Sequence, residues 1–279
     1  MSQASDEPKV RRILVALDGS DHSLAALEAA VDLARGLKSE VEGLFIEDSR
    51  LLRMAALPVA SECPYPYDTT ARLDLVRMER VLRAQAEQAR RALRRTCERY
   101  RLQWSFRVLR GQVASQLLEA AEGADVLSIG RLSRPIVQHD QLGSTARELV
   151  AYTRRPLLLT QRGSSIEGPI VSVHHGADEA QQAVLMAGYL ALRTGGYLNM
   201  LILAEGAQTD KRCRAQIASW LRGKRLFIRY QRLGEASAAT LAQAAEAQQG
   251  GALVLDLAAL PVEELHALLE MVECPVLLM

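Results

Sequence analysis

The chain has 279 residues, 49% of them hydrophobic, 24% charged and only 4% aromatic, with a net charge of +1. That is room for two ordinary domains with cores built from Leu, Ala and Val, and near-neutrality excludes a protein drawn by its overall charge to nucleic acid or to an anionic membrane. No apolar run approaches the roughly 18 residues of a membrane span, and Met1 to Arg12 lacks the apolar centre of a signal peptide.

Cys63, Cys97, Cys213 and Cys274 are widely separated, with no Cys-x-x-Cys pair. They read as reduced thiols rather than a structural metal site, and the expected location is the cytoplasm.

Arg12 to Leu17 is an apolar run that stops at Asp18-Gly19-Ser20, and Leu and Ala then recur at helical spacing to Arg35. This is a strand, a tight turn and a helix. A carboxylate at the C-terminal end of a first parallel strand sits where open α/β sheets bind ligands, although a turn residue or helix cap serves Asp18 equally well. A second strand runs from Val41 to Ile46. The segment Ser49 to Thr70, with Pro58, Pro64 and Pro66, reads as a long loop: a lid, a partner surface or, equally, a disordered stretch. From Leu75 to Tyr100 one apolar stripe marks a long helix whose other faces are crowded with arginine and interspersed with Glu79, Glu87 and Glu98. The mixed signs favour a solvated face over a nucleic-acid surface. Trp104 to Leu109 reads as a strand and Ala114 to Glu122 as a helix.

The most informative stretch follows. Val126 to Ile129 is a short apolar strand ending at Gly130, and after a loop Gly143-Ser144-Thr145 opens a helix in which Thr145 and Glu148 have capping-box spacing. Pro156 to Thr160 is a fifth strand. A helix N-terminus aimed at a strand end carries unpaired N–H groups and partial positive charge, and small residues around it let an anion approach. Gly130 and Gly143 would offer bare backbone, Ser144 and Thr145 hydroxyl donors. The alternative is an ordinary helix cap, which every α/β protein contains.

The alternation of strands and helices predicts a parallel sheet covered on both faces. After a Gly163-Ser164-Ser165 linker the pattern begins again: strand Ile170 to His174, helix Asp178 to Arg193, strand Leu198 to Leu203, a helix through Gln216 to Leu221, strand Leu226 to Arg232, helix Ser237 to Gln248 and strand Ala252 to Leu257. Cys274-Pro275 and the apolar run to Met279 repeat Arg155-Pro156 and the run to Thr160. The reading is two copies of one unit, residues 1–162 and 168–279, the second degenerate. In it His175 stands for Asp18 and Ala258 for Gly130, and nine residues that include the Gly-Ser-Thr loop are missing. His174 and His175 point to opposite faces of a strand, which disfavours shared metal ligation.

Ile13-Leu-Val-Ala-Leu-Asp18-Gly-Ser20, the pattern Gly130-x-x-Ser133-x9-Gly143-Ser144-Thr145, and Arg155-Pro156-Leu-Leu-Leu159 together resemble the universal stress proteins in their tandem, two-domain form. Nucleotide-binding members carry Gly-x-x-Gly-x9-Gly-Ser/Thr around the phosphates of ATP; here Ser133 replaces the second glycine, where it either crowds the loop or adds a donor. The resemblance implies two open parallel-sheet domains, adenine nucleotide as ligand, and a stress-response role without catalysis. By the same resemblance, Asp18 and the backbone of Ile46 would lie beside adenosine, and Gly130, Ser133, Gly143, Ser144 and Thr145 along the phosphates. It leaves Mg²⁺ open, implies fifth-strand pairing that would make the two halves an internal pseudo-dimer, and leaves a further homodimer and the signalling partner undefined. A module that binds no nucleotide and a slow ATPase are the competing readings. His139, inside the loop, reads as a surface histidine or a γ-phosphate contact.

Overall fold

In a computed structural model the described residues are 10–57, 61–62, 71–72, 75–132, 142–204, 206–234 and 236–279. The first half runs β1 (Arg12–Ala16), α1 (Asp21–Leu37), β2 (Glu40–Asp48), α2 (Ser49–Ala55), the two-residue strands β3 (Ser61–Glu62) and β4 (Ala71–Arg72), α3 (Leu75–Arg99), β5 (Trp104–Gly111), α4 (Val113–Ala121), β6 (Val126–Gly130), α5 (Ser144–Tyr152) and β7 (Leu157–Thr160). The second runs β8 (Ile170–His174), α6 (Gln181–Arg193), β9 (Tyr197–Leu203), α7 (Ala207–Trp220), β10 (Phe227–Leu233), α8 (Ala238–Ala247), β11 (Ala252–Leu255), α9 (Val262–Met271) and β12 (Val276–Leu278).

Ten strands form one sheet in the order β10-β9-β8-β11-β12-β7-β6-β1-β2-β5. Each half contributes five parallel strands in the same internal order, and the halves join where β7 and β12 pair antiparallel, Leu158 opposite Leu277. The central strands are apolar on both sides, as strands covered by helices must be. Ile13 and Val15 of β1 sink into one apolar layer with α1, α3, α6 and α7, while Leu14 enters the other with α4, α5, α8 and α9. Both layers run through the two halves without a break.

Helix α3 buries the expected stripe, Leu82, Ala86, Ala89, Leu93 and Cys97, and burial pushes the Cys97 thiol up to about 11. Its basic face is solvated and laced with ion pairs at helical spacing, Glu79–Arg83 and Glu87–Arg91.

Three readings need correction. Residues 49–55, taken as the start of a long loop, form helix α2, whose first turn is capped by the Asp48 carboxylate accepting from the Arg50 N–H at 2.8 Å. Helix α9 follows Pro261, a residue suited to a helix start, with Glu263 and Glu264 in the first turn; the sequence reading passed over it. Third, the ladder register makes Asp256, not Ala258, the counterpart of Gly130. Val126 pairs Ile13 as Ala252 pairs Ile170, and Leu157 pairs Leu127 as Val276 pairs Leu253. The shortened segment is therefore Asp256 to Pro275 against Gly130 to Pro156.

Candidate functional site

Where β1 ends, the chain turns through Gly19, whose φ of +80° is left-handed and free for glycine. Ser20 then caps α1, its Oγ accepting from the Ser23 N–H at 3.1 Å. Asp18 takes part in this turn, accepting the Ser20 N–H at 2.9 Å. The turn role and the cleft position are both real, because the same carboxylate lines a cavity of about 530 Å³ at the strand C-termini. That volume lies within the usual range of small-molecule sites, about 300–1,000 Å³.

The cavity draws together six of the seven residues proposed from sequence: Asp18, Ile46, Gly130, Gly143, Ser144 and Thr145. Ser133 and His139 lie outside the described residues. On the β2 side its wall is mainly apolar, with Leu51 of α2, Val113 and Leu117 of α4 and Leu82 of α3, and Asp48 and Gln85 as its polar members. Ile46 belongs to this side. The last β2 residue paired with β1 is Leu44, whose carbonyl accepts from the Leu17 N–H at 2.9 Å. Ile46 is two residues further on the same alternation, so its backbone N–H and C=O face the space beyond the end of β1.

On the β6 side lies the N-terminus of α5. The expected capping box is not made: the helix begins at Ser144 with Gly143 as N-cap and no side-chain cap bond. Thr145 is thus the second helical residue, too deep to act as the cap. The first N–H groups of α5 therefore lack intrahelical partners, as at any helix start, and stand at the cavity beside the Ser144 and Thr145 side chains. Gly130 is required here for packing as well as for bare backbone: a Cβ would stand 2.7 Å from the His22 carbonyl carbon in the first turn of α1. That turn also places the His22 ring, whose Nδ1 accepts from the Arg162 N–H at 3.2 Å and whose partial burial lowers its pKa.

The charged groups in the described lining are Asp18, Asp48 and Arg131, and that lining holds no histidine, cysteine or lysine. Arg131 escaped the sequence reading. It is 1% exposed, and no local signal distinguishes it, because its partners lie in the second half: Leu269, Val272 and Cys274, all through backbone carbonyls. In that half, His174 and His175 have ring centroids 6.4 Å apart, and among the described residues no group of three or more His, Cys, Asp or Glu could hold a metal. Nor is any described helix long and apolar enough to cross a membrane.

A mostly parallel sheet covered by helices on both faces, with a cavity at its strand C-termini, defines the class of open α/β folds. Residues 9–161 match the model of the universal stress protein family. The chain is 22% identical over 154 residues to a universal stress protein of Methanocaldococcus jannaschii, covering 54% of this chain and 82% of that one. Among solved structures, a universal stress protein from Archaeoglobus fulgidus superposes with a TM-score of 0.73 at 14% identity, over 96% of this chain and 95% of its own. A protein of unknown function from Pseudomonas aeruginosa follows at 0.60 and 15%, over 100% and 94%. The chain belongs to the universal stress protein family.

Proposed function

We propose that the first half binds one adenine nucleotide, ATP, as a regulatory ligand, and that the protein acts in the cytoplasm by presenting a ligand-dependent surface to a signalling protein. The observation that carries this reading is the cavity's division: an apolar wall and the free backbone of Ile46 on one side suit a base and ribose, and a glycine-flanked helix N-terminus on the other suits phosphates. Asp18 sits between them as an acceptor for ribose hydroxyls. Gly130, Gly143, Ser144 and Thr145, with Ser133 beyond the described residues, would hold the phosphates. Mg²⁺ would arrive bound to those phosphates, because no metal-ligand cluster exists among the described residues.

The mirrored strand order supports two units, 1–162 and 168–279, paired through β7 and β12 as an internal pseudo-dimer. In the second, α9 begins within a few residues of β11, which leaves no counterpart of the phosphate loop and supports a structural or interaction role there. The role proposed is regulatory and non-enzymatic, and phosphate release tests it.

Titration calorimetry of the full chain with ATP should give one site. Asp18→Ala should weaken it about ten- to a hundredfold, the loss expected for hydrogen bonds to a charged group. Phosphate release with Mg²⁺ should stay at background; release that disappears in Asp18→Ala would make the protein an ATPase instead.

A further inference from the structure

Arg131 follows Gly130 directly and lines the cavity, yet its guanidinium points away into the second half. Nη1 donates to the carbonyls of Leu269, at 2.9 Å, and Val272, and Nη2 donates to that of Cys274. These carbonyls end α9 and lead into β12. The last carbonyls of a helix have no intrahelical partners and carry partial negative charge, so they form a socket for a cation. No carboxylate is needed, and among the described residues none pairs with Arg131.

The backbone of the same residue completes the junction. Its N–H donates to the Thr160 carbonyl at 2.7 Å, at the end of β7, and its carbonyl accepts from the Gly143 N–H at 2.7 Å. Gly143 is the N-cap of α5. One buried residue thus ties the N-terminus of the anion-facing helix to the C-terminus of a helix in the other half. Further along α5, Arg147 pairs with Glu270 of α9, and His266 Nε2 stands 3.1 Å from the Arg147 carbonyl, which can only accept. Burial lowers the Arg131 pKa to about 10, so it stays charged at neutral pH and needs its carbonyl socket: a buried cation without partners is strongly destabilising.

Resting on the nucleotide reading above, we infer that Arg131 is a positioning residue for the phosphate end of the cavity, and that the second half, through the α9 carbonyl socket, belongs to the first half's nucleotide site. Loss of its own loop leaves the second half free to serve as the clamp for its neighbour's. Phosphate binding and the docking of α9 against α5 are then coupled, and by reciprocity each strengthens the other.

The test compares ATP with adenosine on the full chain. In Arg131→Met, which keeps the apolar stem but makes no hydrogen bonds, ATP affinity should fall at least tenfold while adenosine affinity stays within twofold. A general loss of structure would lower both equally, and that result, or no change in either, overturns the inference. Wild-type protein supplies a second reading that no folding defect can obscure: ATP should slow amide hydrogen exchange across residues 262–279 more than adenosine does. Should ATP bind without altering exchange there, the coupling is wrong although the nucleotide reading stands. Should neither ATP nor adenosine bind, the nucleotide reading itself fails and the inference falls with it.

Discussion

Gly130 illustrates how one residue answers to two demands. Its place at the end of a buried strand made it a candidate for bare backbone near an anion, and the fold adds that α1 passes too close for any side chain. Gly130→Ala should therefore destabilise the protein by about 1–3 kcal/mol through overpacking, measurable by urea unfolding, even with no nucleotide present. Asp18, Gly130 and Gly143 were legible because turn and backbone chemistry is written in neighbouring residues. Arg131 was not: its partners are backbone carbonyls 138, 141 and 143 residues away, and carbonyls look alike in any sequence. His174 was legible as a strand residue but not as a buried base. Burial is the main cause lowering its pKa, opposed by its contact with Gln216 at 3.3 Å. Folding therefore favours the neutral ring. The stability this leaves is complete above the ordinary histidine value of about 6.5 and is lost as the pH falls below it toward the lower folded value. Urea unfolding at pH 7.5 and 5.5 should show the decline, and His174→Gln should flatten it.

Among the elements, strands and long helices were readable because their apolar periodicity is set by the layers they join. Helix boundaries were less so. Asp48 both ends β2 and caps α2 through its carboxylate, a double role only the structure shows. Thr145 and Glu148 had the spacing of a capping box, but the N-cap falls two residues earlier, at Gly143, and the helix opens at Ser144. Helix α9 was hard to read because it is ten residues long and opens after Pro261 with no side-chain cap bond. Two of its contacts with the first half differ in weight. The Arg147–Glu270 pair is about two-fifths exposed on both sides, so solvent screens it, and Glu270→Gln should cost no more than about 1 kcal/mol in thermal or urea unfolding. The buried Arg131 contact is the stronger of the two.

At the scale of the whole molecule, the recurring proline and apolar run before residues 160 and 279 was visible in the sequence, while the match of strand to strand needed the ladder pairings. Fifth-strand pairing was implied only by the family resemblance; what no sequence pattern displayed is that each apolar layer is shared from end to end across the β7–β12 seam. The described lining of the cavity nonetheless comes from the first half, between Ala16 and Ala146. The most direct measurement is mass spectrometry and absorbance on protein purified without added nucleotide, followed by ATP calorimetry on wild type and Gly143→Glu, which sets a carboxylate at the N-cap of α5. About one adenine nucleotide per chain, bound by wild type and lost in the variant, is the predicted result. Wild type that carries no nucleotide and gives no heat with ATP, or a variant that binds as wild type does, would contradict the account.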